Sequence, residues 1–287
     1  MHYLVSFENQ PEYQWQIELL LESFKKHNLS HDLLLSVVKS DLPSNPLFCR
    51  NLSNHEKTIG FDNIGKLRGY DKLNKYYNLM WTQMAGVINQ PVMLIDTDVV
   101  LKNPVQYIFD LFPQFIFSPD LDFNFDLVAS SVGNFWEWLD KDKEFFVKNW
   151  IPLGSASIFS YIPFHVFFQI IERIEFLAVK QLLEKKPIWE HTDKLGLISV
   201  MLDNLNNINC KGEYSLVSPV FGSDANFVSY EKGIPPTFHK FMFKFSDEMF
   251  ISFGDPIDIL SKTFPSPNAS YLAEIADICV KARRKFF

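Results

Sequence analysis

Apolar and polar positions along this chain switch between two periods, and each switch marks an element. Tyr3 to Phe7 is a compact, mostly apolar run that predicts a strand, and Glu8 to Pro11 predicts a loop. Tyr13, Ile17, Leu20, Leu21 and Phe24 then recur three or four residues apart, which is one face of a helix. Leu33 to Val38 supplies a second apolar run, so the chain opens strand, helix, strand, as a parallel α/β sheet requires. Tyr76, Met80, Met84, Val87 and Ile88 carry another helical stripe up to Asn89-Gln90-Pro91. Val92-Met93-Leu94-Ile95 follows as a short strand that stops at Asp96-Thr97-Asp98.

Between these blocks the pattern weakens. Ser40 to Tyr70 is polar and broken by Pro43, Pro46, Gly60, Gly65 and Gly69, which predicts a long loop, a candidate mobile flap over a site. Further on, Leu127 to Ala129 and Ala156 to Tyr161 read as strands, and Phe164 to Leu183 and Lys194 to Leu205 as helices. The final third mixes short strands with Pro-rich loops. Near its end Tyr271, Leu272, Ile275, Ile278 and Cys279 keep a helical spacing. No internal repeat and no linker divides the chain, so a single domain over 1–287 is expected.

Composition narrows the class. With 287 residues the chain can bury a sizeable core, and 47% hydrophobic with 21% charged residues marks a globular protein. Most of its 29 Phe belong in that core, although flat rings also suit sugar faces and nucleobases. A net charge of -7 argues against nucleic acid as a partner, because binding a phosphate backbone needs clustered Lys and Arg. The one basic run, Lys281 to Lys285, is explained by a solvated last helical turn. Cys49, Cys210 and Cys279 are widely spaced and odd in number, which predicts neither disulfides nor a zinc site and fits a reducing compartment. The start lacks a signal-peptide pattern, and no uncharged apolar stretch reaches the ~18 residues of a membrane span. A cytoplasmic protein is expected, or a chain trimmed of its anchor.

The acid pair changes the picture most. In open α/β sheets ligands gather beyond the carboxyl ends of strands, and Asp96 and Asp98 follow such an end. Two carboxylates one residue apart suit a hard divalent cation, which keeps open positions for diphosphate oxygens. A solvated turn is the plainer reading of the same three residues. Other chemistry is sparser. Trp189-Glu190-His191-Thr192-Asp193 groups an aromatic ring, two acids and an imidazole at the start of a helix, where Thr192 or Asp193 would otherwise serve as a cap. Lys72 and Lys75 lie one helix before the acid strand, in reach of phosphates or on a solvated face.

The stretch from Tyr70 to Pro104 resembles the helix, strand and D-x-D block of the GT-A glycosyltransferases. Trp15-Gln16 and Ser23-Phe24-Lys25-Lys26 are similar, more narrowly, to the peptidyl serine galactosyltransferase and hydroxyproline arabinosyltransferase group. The resemblance implies a mixed, Rossmann-like central sheet flanked by helices, with the part through 105 binding nucleotide and metal and 106–287 shaping the acceptor site. It implies a nucleoside diphosphate sugar donor, a UDP-sugar in the first instance, and a hydroxyl acceptor on a glycan, peptide or lipid-linked sugar, with the anomeric configuration retained. Asp98 would ligate Mn²⁺ or Mg²⁺, and Asp96 the metal or the donor ribose. His239 would be a third ligand, or else a structural histidine, and Lys244 a diphosphate contact, although the Gly usual between such a His and Lys is missing. Gly154 and Ser155 would sit beside the donor sugar, or form a tight turn. Phe7 and Glu8 would border the base. Asp193, ahead of Glu190, would act as general base or orient the acceptor hydroxyl.

Two other classes share some of these residues. Leu94 to Val100 also resembles the first motif of haloacid dehalogenase-like phosphatases, with Asp96 as nucleophile and Asp98 as acid-base, and Phe253 to Asp258 imitates a later acidic motif. That reading leaves the strand-helix-strand unit before the motif without a role. A carbohydrate-binding protein or scaffold with the same fold and no turnover is the third.

Overall fold

The computed structural model describes residues 2–41, 44, 46–88, 92–97, 99–101, 115–119, 124–150, 153–159, 164–204, 210–211, 217–219 and 238–240. Its strands are β1 (His2–Glu8), β2 (Leu33–Val38), β3 (Thr58–Phe61), β4 (Val92–Ile95), β5 (Val99–Leu101), β6 (Phe115–Pro119), β7 (Leu153–Phe159), β8 (Cys210–Lys211), β9 (Val217–Pro219) and β10 (Phe238–Lys240). Its helices are α1 (Pro11–Lys26), α2 (Pro46–Asn54), α3 (Ile64–Leu67), α4 (Leu73–Met84), α5 (Phe125–Val132), α6 (Phe135–Trp138), α7 (Lys143–Asn149), α8 (Phe164–Leu183) and α9 (Thr192–Asp203). The expected mixed α/β class is what the chain adopts.

Residues fall into two compact units, each assembled from distant stretches. One holds 5–61, 95–105 and 216–287, and the other 1–4, 62–94 and 106–215. In the first, the end of β1 lies beside β2 and β2 beside β3. The β2–β3 pair is parallel, from Leu35 opposite Thr58 to Val38 opposite Phe61. Tyr3, Leu4, Val5 and Leu33 to Leu35 are buried in unbroken runs rather than in alternation, the signature of strands covered on both faces. Helix α1 starts with Pro at its first turn and buries Ile17, Leu20, Leu21 and Phe24, the stripe read from spacing alone. Lys25 and Lys26 complement its carboxyl end, and Asn28 leaves the helix through the left-handed region at φ 57°. A small second sheet has the order β5-β10-β9, with β10 antiparallel to β5 and parallel to β9.

In the other unit the strands run from the start of β1 through β4, β7 and β6 to β8. β6 is antiparallel to β7 and parallel to β8. Helix α9 is buried from Thr192 to Leu202 at every position but Lys194, so it is a core helix rather than an amphipathic surface one. It packs on α8, which buries Ile170, Ile171, Ile174, Leu177 and Ala178. The approach is close at Gly196, where an added Cβ would stand 2.4 Å from Ile174 Cγ1 and 3.1 Å from its Cα. An exposed helical Gly→Ala change would stabilise by up to about 1 kcal/mol. Here overpacking against backbone wins, and Gly196→Ala is expected to lose about 1–3 kcal/mol in denaturant unfolding.

Three expectations from spacing are corrected. Ser40 to Tyr70 is not one long loop: it contains α2, the edge strand β3 and α3, held by Thr58 Oγ1 donating to Leu52 O and by Asn63 capping Lys66 N. Leu127 to Ala129 is helix, not strand, because Asn124 accepts from Leu127 N at 2.8 Å and Gly133, at φ 99°, ends α5. Along α4 only Tyr76 and Met80 of the predicted stripe are buried; Met84 and Val87 are exposed, since Gly86 at φ 71° ends the turn and returns the chain to the interior at Ile88. The helical spacing of Tyr271 to Cys279 lies outside the described residues.

Candidate active site

Two groups of candidate residues emerge, one in each unit. The first surrounds the end of β4. Asp96, the first residue beyond the strand, is half-buried, and Thr97 next to it is half-buried as well. Thr97 Oγ1 donates to Gln16 Oε1 of α1 at 2.5 Å, and Gln16 is itself 5% exposed. Strand β5 follows at once, and Leu101 N donates to Ser23 Oγ of the same helix at 3.1 Å. Ser23 Oγ in turn donates to Leu20 O. In the small sheet His239 stands in register with Val100, and Lys240 with Val99. The β10 pairing thus brings the His239 backbone alongside the strand that continues from the acid triplet, across more than a hundred residues of chain. Asp98, the side chain of His239, and Lys244 lie outside the described residues. Among the described residues no three of His, Cys, Asp and Glu form a group able to hold a metal ion.

At the end of β1, Phe7 is buried with its ring edge-on to Phe48, centroids 6.4 Å apart, while Glu8 is half-buried. In the other unit Gly154 and Ser155 lie inside β7 rather than in a turn.

The second group forms where the chain enters α9. Asp193 is 1% exposed, yet its carboxylate is fully engaged: Oδ2 lies 2.6 Å from Lys75 Nζ, and Oδ1 lies 3.1 Å from Tyr70 Oη. The Tyr70 hydroxyl accepts from Asp193 N at 3.0 Å and is also 3.0 Å from Glu190 O, so its one proton serves either carboxylate or carbonyl. Lys72 Nζ donates to the same Glu190 O. Burial by itself would raise the Asp193 carboxyl, but Lys75, then Lys72 and Lys194, outweigh it and lower it to about 2. Burial and the neighbouring Asp193 charge push the Tyr70 phenol well above its ordinary range. His191 is held below its usual value by burial and then by Lys194 and Lys72.

The turn before α9 is braced from behind by Gln181 of α8, 1% exposed. Its amide donates to Thr192 Oγ1 at 2.9 Å, and its carbonyl accepts from Trp189 N at 2.8 Å. Thr192 Oγ1 donates to Trp189 O. Neither Thr192 nor Asp193 caps the helix by its side chain: the cap residue is His191, which makes no side-chain cap bond. The outer edge of the turn carries the exposed Glu190, whose carboxylate is 3.3 Å from His191 Nε2, and the Trp189 ring edge-on to His191 at 5.2 Å. Lys72 and Lys75, expected at donor phosphates or on a solvated face, are both turned to this segment. Tyr70 and Gln16 stand in the stretches that carry the family resemblance but had no role of their own there, and Gln181 stands in no motif.

Comparison with solved structures fits this arrangement of strands and helices. The chain covers 96% of its length on 95% of the galactosyltransferase LgtC, solved in complex with donor and acceptor sugar analogs, with a TM-score of 0.54 and 11% identity. An active-site mutant of LgtC gives a TM-score of 0.51 at 9% identity, over 96% of this chain and 95% of that one. The fold is GT-A. At this identity the likeness speaks for the fold alone. The sequence matches no protein-family model and no curated protein. A GT-A sheet gives the N-terminal strand-helix-strand unit a structural part, which the haloacid dehalogenase-like reading leaves unexplained. Among the described residues no helix is long and apolar enough to cross a membrane.

Proposed function

We propose that this chain is a metal-dependent glycosyltransferase that moves a hexosyl or pentosyl group from a nucleoside diphosphate sugar, first of all a UDP-sugar, to a hydroxyl acceptor on a glycan, peptide or lipid-linked sugar. The observation that carries the reading is the position of Asp96 and Thr97 directly beyond β4, in a fold shared with a galactosyltransferase solved with donor and acceptor analogs. Thr97 donates its hydroxyl proton to Gln16, and the anionic carboxylates on either side are the stronger donors of the triplet, hard oxygens that suit Mn²⁺ or Mg²⁺. Asp96 and Asp98 would hold the ion, with His239 as third ligand. When bound, it offsets the charge that builds on the diphosphate as the sugar leaves.

The chain's own groups then divide the remaining work. The bond from sugar to diphosphate oxygen breaks as the acceptor hydroxyl bonds to the same carbon and loses its proton. Asp193 is a poor acceptor for that proton, because a carboxyl at about 2, buried and ion-paired, is far from the pH at which it would serve as base. Its part is to orient, through Lys75 and Tyr70. Glu190 is the carboxylate that reaches solvent and is the candidate base. Gly154 and Ser155 beside the sugar, Glu8 and Phe7 near the base, and Lys244 at the diphosphate complete the assignment. The part through Val105 serves nucleotide and metal, and 106–287 the acceptor. A cytoplasmic setting, suggested by the cysteine spacing, belongs to the same proposal.

Thermal shift with nucleoside diphosphates tests this. UDP at about 100 times its Kd stabilises a folded chain by about 2.7 kcal/mol, and the shift is expected only when Mn²⁺ is present. No shift with any nucleoside diphosphate in Mn²⁺ or Mg²⁺ would remove the reading.

A further inference from the structure

Buried polar side chains need partners, and where several on one helix find theirs in one short segment, that segment is being positioned. Helix α1 packs through Ile17, Leu20, Leu21 and Phe24, but beside that apolar stripe it also buries Gln16 and Ser23. Both are turned to residues 97–101: Gln16 to the Thr97 hydroxyl and Ser23 to Leu101 N. The imidazole of His27, which caps α1, hydrogen-bonds to the Leu101 backbone. Residues 16, 23 and 27 are spaced seven and four apart, so they project within an arc of about 40° on the helix. One face of α1 therefore grips both ends of the five-residue stretch that begins between the two acids and closes β5.

We infer that α1 is a positioning clamp for the acid triplet, and that Gln16 is its decisive positioning residue, fixing through Thr97 the turn from which Asp96 and Asp98 bind the divalent ion. This rests on the metal-dependent reading above. The physical case is the asymmetry of hydrogen-bond loss: removing the Thr97 hydroxyl strands the buried Gln16 carbonyl and frees the residue between the two ligands. Outer groups that orient metal ligands typically carry about 10- to 100-fold in metal affinity, and Thr97, which joins the two ligands without being one, is expected at the lower end. Ser23 and His27 hold the far end, after β5 has begun, and act on the triplet only through the strand.

The test uses the full chain and Mn²⁺ alone, with free ion followed by electron paramagnetic resonance. Thr97→Val, which keeps the shape and drops the hydroxyl, is expected to weaken Mn²⁺ binding about 10-fold or more, whereas Thr97→Ser, which keeps the donor, stays within about threefold of wild type. Gln16→Met is expected to match Thr97→Val, and the two together to do no more than either alone, as partners in one bond should. Thermal melts of each variant separate loss of the ion from loss of the fold, and the Val and Ser pair at Thr97 carries the test if Gln16→Met does not fold. Wild type that binds Mn²⁺ with Thr97→Val unchanged, or with Thr97→Ser weakened as much as Thr97→Val, overturns the clamp and leaves the metal reading standing. Wild type that binds no Mn²⁺ overturns both.

Discussion

Asp98→Asn is expected to slow sugar transfer by about a thousandfold, the equivalent of about 4 kcal/mol of transition-state stabilisation. The substitution keeps the shape but removes the charge and turns one of the two acceptor oxygens into an N–H donor, which cannot ligate a cation. With net charge -7 the protein has little general attraction for a diphosphate, and in the proposed reaction a bound cation would supply it. One carboxylate fewer weakens the grip on the ion and leaves the departing diphosphate less screened. Asp96→Asn should behave similarly, with Kd for Mn²⁺ raised in both. Steady-state release of nucleoside diphosphate, measured against Mn²⁺ concentration, separates a ligand from a bystander. A ligand variant recovers part of its rate at high Mn²⁺, and a bystander variant loses nothing at any concentration. Activity of Asp98→Asn within about tenfold of wild type would count against the metal site.

The second large effect is on stability. Lys75→Ala leaves the Asp193 carboxylate buried with Tyr70 as its remaining direct partner, and stranding a buried charge costs about 3–5 kcal/mol. Lys75 retains some exposure, so the lower end is expected, a fall in Tm of about 6–10 °C in a chain of this size. The pH dependence follows from the same pair. The Asp193 carboxyl is lowered in the folded chain, so its contribution, about 2 kcal/mol, is present above its unfolded value near 3.8. That stability is lost as pH falls from about 4 to 2. In Lys75→Ala burial is opposed less strongly, the folded carboxyl rises, and the acid-side loss shrinks. Replacing both partners by apolar groups, Lys75→Met with Asp193→Leu, should restore much of the stability, since it removes the stranded charge along with its partner. Urea unfolding between about pH 2 and 7 reads wild type and both variants, and Lys75→Ala unfolding within about 0.5 kcal/mol of wild type would contradict the pairing.

The parts legible from sequence were those written in local periodicity. The apolar stripe of α1, the runs in β1 and β2, and the strand that ends at Asp96 all follow from spacing within ten or so residues, and all stand in the structure. Short apolar runs were not legible, because strand and helix look alike over three residues, and the Asn124 cap and Gly133 stop decide Leu127 to Ala129 for helix. Nor was the Ser40 to Tyr70 segment, whose Gly and Pro residues suggest turns although Pro46 opens α2, Gly60 lies within β3 and Gly65 within α3.

Partners distant in sequence were the least visible. Tyr70 meets Asp193 across 123 residues and Gln16 meets Thr97 across 81, and nothing in the local pattern of either names the other. A polar residue on the flank of an apolar helix stripe, such as Gln16, reads as surface until its partner is placed. The D-x-D triplet and the Trp189 to Asp193 cluster could be picked out because acids at a strand end and at a helix start are chemically conspicuous. What each acid can do depends on burial and neighbouring charge, and these hold the Asp193 carboxyl ion-paired and at about 2, which sequence alone does not show.

The most direct measurement is an anomalous-scattering map of crystals grown with Mn²⁺ and UDP. The expected result is one Mn²⁺ peak within about 2.0–2.3 Å of carboxylate oxygens of Asp96 and Asp98, with the diphosphate completing its shell. A well-ordered UDP with no metal at these acids, or Mn²⁺ bound elsewhere while Asp96 and Asp98 point apart, would contradict the account.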